Sequence, residues 1–327
     1  MTIATRAIRL HEHGGPDVMR WEEAALPEPG PGELRVRHGA VGLNYIDTYH
    51  RTGLYPNATP HGLGLEGAGT VEAVGPGVEA VCVGDRVAYG AGPLGAYAES
   101  RIIPAAKVVR LPDAVSDEEA AAVMLKGMTV RYLIRETYAV KPGETVLWHA
   151  AAGGVGLLAC QWLASEGVTV IGTVGSEAKA KLAREHGAVH VIRYDTEDVA
   201  ARVRELTNGE GVPVVYDGVG AATLDASLDS LRPRGLLASF GNASGPVTDL
   251  DLGTLAAKGS LYVTRPVLMT YVSTDEALRA NASEVLDVVA SGRVKVRVNQ
   301  RYALADAAKA HRALEARETT GSTVLTV

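Results

Sequence analysis

Cysteine is nearly absent. Cys82 and Cys160 are the only two in 327 residues, too few and too far apart for a disulfide framework or a four-thiolate zinc site. A basic excess is absent as well: 32 Lys and Arg face 38 Asp and Glu, for a net charge of -6. That balance argues against DNA, RNA or an anionic bilayer as the main partner, and no clustering of basic with aromatic residues points to RNA. The opening MTIATRAIRLHEHGG has no apolar run of signal-peptide length, so a cytoplasmic protein is expected. There is no internal repeat, no low-complexity segment, no cysteine placed as a nucleophile and no Ser-His-Asp order with a nucleophile elbow. With 46% hydrophobic residues, the chain can fill the cores of two ordinary domains.

One stretch is long and uncharged. From Thr145 to Ser165 only His149 can carry charge, a length near the roughly 20 residues of a membrane span. Its interior reads otherwise. TVLW (145–148) is β-branched and aromatic like a buried strand, Gly153, Gly154 and Gly156 would weaken a helix centre, and Leu157, Leu158 and Trp162 then resume helical spacing. The reading is strand, glycine turn, helix. The alternation continues: strands at 168–175, 189–194, 213–217, 236–241 and 260–265, with helices over 176–187 and 196–209. Six strands alternating with helices in about 120 residues predict a parallel, doubly wound α/β sheet of the dinucleotide-binding size.

Residues 1–115 are different. Short runs such as LRVRHGAVGL, AGTVEAVG and GDRVAYG recur at hairpin spacing between prolines and glycines, which predicts a mostly β domain of barrel type. A long helix is expected over 117–136. The tail holds a strand, a helix over 305–317 and a final strand, and is expected to return to the first domain.

In the Rossmann fingerprint G-x-G-x-x-G, the three places are Ala151, Gly153 and Gly156. In its strand–turn–helix setting, the loop Ala152, Gly153, Gly154, Val155 and Gly156 is read as a pyrophosphate cradle at a helix N-terminus. Sites for NAD place an acid about 20 residues further on. Here Val174, Gly175 and Ser176 stand instead, with Lys179 following and Tyr194 ending the next strand. A hydroxyl, an ammonium and a phenol suit a 2′-phosphate, so NADPH is expected over NADH. The alternative for Lys179 is a solvated helix lysine.

The segments HEHGGPDVM (11–19), GLNYIDTYHRTGLYP (42–56), GLEGAGTVEAVGPGV (64–78), HAAAGGVG (149–156), GTVGS (172–176), YDGVG (216–220), SFGNASG (239–245) and GSLYVTRP (259–266) together resemble the zinc-free quinone oxidoreductases. This is the zeta-crystallin-like branch of the medium-chain dehydrogenase/reductase superfamily, and the resemblance runs end to end. It implies a GroES-like barrel catalytic domain from both chain ends (1–123 and 267–327), a six-stranded Rossmann NADPH-binding domain (124–266) and a cleft where they meet. It also implies a homodimer, for which the edge position expected of the sixth strand gives a physical reason.

Departures from the zinc-dependent relatives point the same way. Where those carry Gly-His-Glu, this chain has Gly64-Leu65-Glu66, and Asn44 and Asp47 fall in the segment of their first ligand cysteine. Catalytic zinc needs three protein ligands and an open position, so no metal is expected. The resemblance implies that Asn44, Asp47, Tyr49 and Tyr55 line the cleft, the two tyrosines as donors toward a developing oxyanion or as half-buried structural residues. It implies cofactor contacts from Asn44, Lys126, Thr129, Ser239, Phe240, Gly241, Asn242, Val263, Thr264, Arg265 and Arg317, with Ser322 a weaker match. Lys126 has the alternative of an interdomain salt bridge, and Asp217 that of a turn-former. The expected reaction is metal-free hydride transfer from NADPH to a quinone. The alternatives are reduction of 2-alkenals or other enones, and a non-catalytic NADPH-binding relative that binds RNA or serves a structural role.

Overall fold

The computed structural model describes residues 2–327, which divide into two compact units. The first takes the N-terminal segment through Met128 together with Val272–Gly292 and Val296–Val327; the second takes Thr129–Tyr271 with Arg293–Lys295.

The first unit is built mainly from strands: β1 (Ile3–Leu10), β2 (Met19–Leu26), β3 (Glu33–Leu43), then the short helix α1 (Tyr45–Thr52), then β4 (His61–Gly62), β5 (Gly67–Val74), β6 (Arg86–Tyr89), β7 (Ser100–Pro104) and β8 (Val109–Arg110). Burial alternates along β3, with Leu34, Val36, His38 and Ala40 inward, as the period of a strand with one covered face requires. A three-stranded sheet β2-β1-β4 and a larger sheet running β3-β5-β6-β8, with β7 on β3, share one apolar core that includes Ile8, Leu10, Leu34, Val36, Val71, Val87 and Ile103. The helix α2 (Asp117–Tyr132) opens on three acids, which suit a helix N-terminus, and passes into a π-helical turn at Leu133–Thr137.

The second unit alternates without exception: β9 (Thr145–Trp148), α3 (Gly154–Ser165), β10 (Thr169–Val174), α4 (Glu177–Glu185), β11 (His190–Arg193), α5 (Val199–Leu206), β12 (Val212–Asp217), α6 (Leu224–Ser230), β13 (Leu231–Ser239), α7 (Leu252–Ala257), β14 (Tyr262–Thr264) and α8 (Leu268–Tyr271). All six strands are parallel, in the order β11-β10-β9-β12-β13-β14. This is the doubly wound order whose direction reverses between β9 and β12, the place where such sheets bind ligands. Trp148 is almost fully buried, its ring 4.6 Å from that of Tyr216 and 5.8 Å from that of Phe240. Truncating it to alanine would remove roughly 3–5 kcal/mol. The fifth strand begins at Leu231, five residues earlier than its apolar run LLASFG announces, because RPRG interrupts the pattern and the register on β12 shifts there.

The tail contributes α9 (Asp275–Ala290), β15 (Val298–Ala303), α10 (Ala307–Glu315) and β16 (Ser322–Thr326). β16 pairs antiparallel with β3, from Thr323 opposite Leu43 to Thr326 opposite Ala40, and β15 lies parallel on β16. The chain's end therefore completes the first sheet. Among the described residues, no helix is long and apolar enough to cross a membrane.

Candidate active site

Apart from Thr129, which lies on α2, every second-unit residue expected to hold a cofactor lies at or just beyond the carboxyl edge of the parallel sheet. Strand pairing aligns Gly172 with Trp148, Val174 with Arg193, Asp217 with Ser239 and Ala238 with Thr264. The loop after β9 turns back on itself before α3. A Cβ on Gly156 would stand 2.5 Å from the Ala150 carbonyl and 2.7 Å from the Ala151 backbone, so glycine is required for the helix to pack this close. Gly153 differs: an added Cβ would meet only the Ala150 oxygen, at 3.2 Å. The chain itself leaves that space open, on the N-terminal side of a twelve-residue helix, which fits a pyrophosphate held by backbone amides and the helix dipole. The alanine in the first fingerprint place is balanced across the sheet. Its methyl group fills the space beside Gly172, where a Cβ would approach it to 2.6 Å.

Beyond β10 the expected 2′-phosphate residues come together. Ser176 caps α4, its hydroxyl oxygen accepting the Lys179 N–H at 3.3 Å, which leaves the hydroxyl proton to donate elsewhere. The Tyr194 hydroxyl lies directly over Gly175, where any side chain would collide with it. Glu177, the first residue of α4, is turned to Arg184 and Arg193 at 3.2 and 3.7 Å.

The turns after β12 and β13 interlock: Phe240 N donates to Asp217 O at 2.8 Å and Ser244 N to Val219 O at 2.8 Å. Arg265, after β14, donates to the Ser239 carbonyl at 3.0 Å. Asp217 is a turn-former and more. Its Oδ1 accepts Val219 N and Gly220 N, and its Oδ2 accepts the Thr223 and Ser227 hydroxyls at 2.7 and 2.8 Å. Ser227 Oγ lies 3.0 Å from His149 Nε2, and His149 Nδ1 lies 2.9 Å from Thr173 Oγ1. Because the Ser227 proton goes to the carboxylate, Ser227 accepts from His149 Nε2–H, and Thr173 donates to Nδ1. Burial holds the imidazole pKa down, against the pull of Asp217. This chain ties the first residue of the phosphate loop to the ends of β10 and β12. Nothing in the spacing of Thr173, Ser227 and Asp217 announced it.

In the first unit the expected residues gather around α1. Asn44 and Asp47 form a capping box: Asp47 Oδ2 accepts Asn44 N–H at 2.9 Å while the Asn44 side chain accepts the Asp47 N–H. Asp47 is wholly buried and also accepts the Tyr97 hydroxyl at 2.9 Å; its Oδ1 has no partner among the described residues. Burial pushes its carboxyl up to about 7, against the hydrogen bonds from Asn44 and Tyr97. Asp47 is thus found as an interior residue that organises α1. The Asn44 amide donates to Glu66 Oε2 at 2.7 Å, and Lys126 Nζ donates to the same oxygen at 2.9 Å, both partners buried. Glu66 Oε1 accepts Leu125 N–H at 2.7 Å. The salt bridge expected as the alternative for Lys126 is present, made to Glu66; both residues fall in the first compact unit, which runs through Met128. In the sequence Glu66 stood only as the last residue of the Gly64-Leu65-Glu66 motif, without these partners. Thr129, one turn after Lys126 on α2, is buried.

Tyr49 is nearly buried, its ring 5.7 Å from Tyr45 and 5.3 Å, edge-on, from the more open Tyr55. Tyr55 N–H donates to Tyr49 O at 3.1 Å, and Asn57 Nδ2 holds both the Tyr55 carbonyl and His50 Nδ1 at 2.9 Å. Arg317 follows α10 with a left-handed φ of 60°, and its charge reaches Tyr45, whose pKa burial and Glu315 raise and Arg317 lowers. Ser322 is engaged elsewhere, donating to Ala122 O at 3.0 Å. At the Gly64-Leu65-Glu66 position Leu65 is buried and Glu66 is fully partnered. Among the described residues no group of three His, Cys, Asp or Glu is placed to hold a metal.

Comparison with known proteins covers both units. Residues 30–113 match the alcohol dehydrogenase GroES-like domain family, and 154–287 the family described as zinc-binding dehydrogenase; the Gly64-Leu65-Glu66 position lies outside that second match. A quinone oxidoreductase of Pseudomonas aeruginosa is 57% identical over 321 residues, 98% of this chain and 99% of that protein. A 2-haloacrylate reductase of a Burkholderia species is 45% identical over 97% of each chain. The crystal structure of Escherichia coli quinone oxidoreductase complexed with NADPH superposes with a TM-score of 0.97 at 50% identity, over 98% of this chain and 100% of that one. With its parallel dinucleotide sheet, its mixed second sheet and this likeness along its whole length, the chain belongs to the quinone oxidoreductase family of the medium-chain dehydrogenase/reductase superfamily.

Proposed function

We propose that the protein is an NADPH-dependent quinone oxidoreductase that works without a metal. The observation that carries this reading is the extent of the likeness to named quinone oxidoreductases: it spans nearly the whole chain, so it covers both the dinucleotide edge and the α1 wall. The bound dinucleotide supplies a hydride, and a quinone, being electrophilic already, accepts it without Lewis-acid help. The protein's part is to position, desolvate and donate hydrogen bonds.

In this reading the backbone of Ala152, Gly153, Gly154, Val155 and Gly156 holds the pyrophosphate. Gly175, Ser176, Lys179 and Tyr194 hold the 2′-phosphate, and Ser239, Phe240, Gly241, Asn242, Val263, Thr264 and Arg265 hold the nicotinamide half. Asn44, Lys126, Thr129 and Arg317 complete the cofactor contacts. Tyr49 and Tyr55 face the acceptor as hydrogen-bond donors, with Asn44 orienting and Asp47 fixing the helix that carries Tyr49. The first unit, 2–128 with 272–292 and 296–327, serves as the catalytic domain, and the second, 129–271 with 293–295, as the NADPH-binding domain. The exposed edge of β14, with Tyr262 61% and nearby Val267 50% accessible, is the surface on which two copies pair, and the cytoplasm is the compartment.

A second acceptor class, enones, is favoured by the likeness to a 2-haloacrylate reductase. A steady-state panel of quinones and enones, run with NADPH after dialysis against a chelator, separates the readings. Quinones should give the highest kcat/KM, with activity unchanged by chelation. Zinc at one per chain, or turnover confined to enones, would overturn the corresponding part.

A further inference from the structure

Arg51, at the far end of α1, is a buried arginine whose donors are almost all engaged. It is 1% exposed, and Nη1 and Nη2 donate to Glu315 Oε2 and Oε1 at 3.0 and 2.6 Å, a bidentate pair. Its Nε donates to Gly14 O at 3.0 Å, and Nη1 lies 2.9 Å from His311 Nδ1. An arginine can only donate, so His311 Nδ1 is the acceptor and its proton sits on Nε2. That nitrogen lies 3.1 Å from the Tyr97 hydroxyl, which in turn donates to Asp47 Oδ2. Every hydrogen bond therefore has one possible direction: Arg51 to His311, His311 to Tyr97, Tyr97 to Asp47. The chain of bonds begins at the half-exposed Glu315 and ends on the capping box at the opposite end of the same eight-residue helix.

A helix of two turns is too short to hold its own pose. Here α1 is held at its C-terminal end directly by side chains of α10, some 260 residues away in sequence, and at its N-terminal end through Tyr97, which joins Asp47 to His311. We propose that His311 and Glu315 are positioning residues for the acceptor: they set the pose of α1 and, through it, of Asn44, Tyr49 and Tyr55. This rests on the quinone-reductase reading above. Neither residue touches substrate or cofactor in this account, and both act through Arg51 and Tyr97.

The experiment compares His311→Leu, His311→Gln and Glu315→Ala in the full-length protein, measuring quinone KM and kcat together with NADPH affinity by equilibrium titration. A glutamine can accept from Arg51 and donate to Tyr97 as the imidazole does; a leucine can do neither. The expected result is a quinone KM raised about tenfold in His311→Leu and about fivefold in Glu315→Ala, with kcat changed less than about threefold. His311→Gln should recover most of the loss, and NADPH affinity should stay within about twofold throughout. Glu315 is half-exposed, so its removal lets water reach Arg51, and Glu315→Ala keeps the test open should His311→Leu fail to fold. Variants that lose thermal stability but keep the wild-type quinone KM would show a purely structural tie and overturn the proposal, as would equal impairment of the leucine and glutamine variants. A wild-type chain that binds NADPH but turns over no quinone would instead overturn the reading on which it rests.

Discussion

In the proposed reading, cofactor choice rests on a few side chains. Ser176, Lys179 and Tyr194 surround the end of β10 where an NAD site would hold an acid, and Glu177 is turned to two arginines. Removing one charge-assisted contact costs about 1.5–3 kcal/mol, so Lys179→Ala should shrink the NADPH-over-NADH ratio of kcat/KM roughly tenfold or more. An unchanged ratio would remove Lys179 from the site. Tyr55→Phe should lower kcat/KM for quinone by roughly 10- to 100-fold, the scale of one hydrogen bond lost from a transition state, and Tyr49→Phe similarly. At this scale the sequence was legible where local geometry needs a residue type at a fixed offset from a strand, as at Gly156, where α3 packs on the Ala150–Ala151 turn, and at Ser176, which caps α4. It was silent on Tyr97 and Ser227 and on what Glu66 binds, since their partners lie 22 to 78 residues away and are brought near only by the fold.

At the level of elements, the six parallel strands were readable because each is a short apolar run closed by turn residues. The helix Asp275–Ala290 went unread, although Thr274 caps it and two acids open it. Its buried face includes Asn281, whose amide donates to Met128 O at 3.3 Å, and that polar residue interrupts the apolar stripe. The His149–Ser227–Asp217 chain joins the phosphate loop to β12 and α6, and so belongs to this scale too. Ser227→Ala leaves the His149 Nε2–H buried without an acceptor, a loss of about 1–3 kcal/mol. It should raise the Kd for NADPH several-fold while leaving quinone KM near wild type, as a titration of the folded variant would show. Intact NADPH affinity in that variant would make the chain a core feature alone.

For the whole molecule, two properties follow. Pairing along β14 should give a mass near twice 34.2 kDa by light scattering, and a monomer at micromolar concentration would remove the exposed edge from the account. Stability should fall in mild acid. Burial lowers His38 to about 4 and His311 to about 3; His38 accepts the Tyr89 hydroxyl and sits against the Ala98 carbonyl, both at 2.6 Å. Groups with depressed folded pKa values stabilise above 6.5 and lose that contribution as pH falls toward the folded values. Asp47, raised to about 7, acts oppositely, its contribution being lost as pH rises through 7. Three depressed histidines, His149 among them, against one raised carboxyl leave a net loss of stability as pH falls from 6.5 toward 4, measurable by denaturant unfolding. Flat stability across that window would contradict the burial of these rings. The overall architecture was legible from the alternation of elements and the wealth of short strands; the return of β16 onto β3 was expected from its place in the chain, but its register was not, since register is set by partners rather than by local pattern.

The most direct test is a single turnover. Enzyme dialysed exhaustively against a chelator and loaded with one equivalent of NADPH is mixed with excess quinone, and the loss of reduced nicotinamide is followed. Complete oxidation, with hydroquinone formed in equal amount and no added metal, is the predicted result. NADPH that stays bound and reduced in the presence of every quinone tried would contradict it.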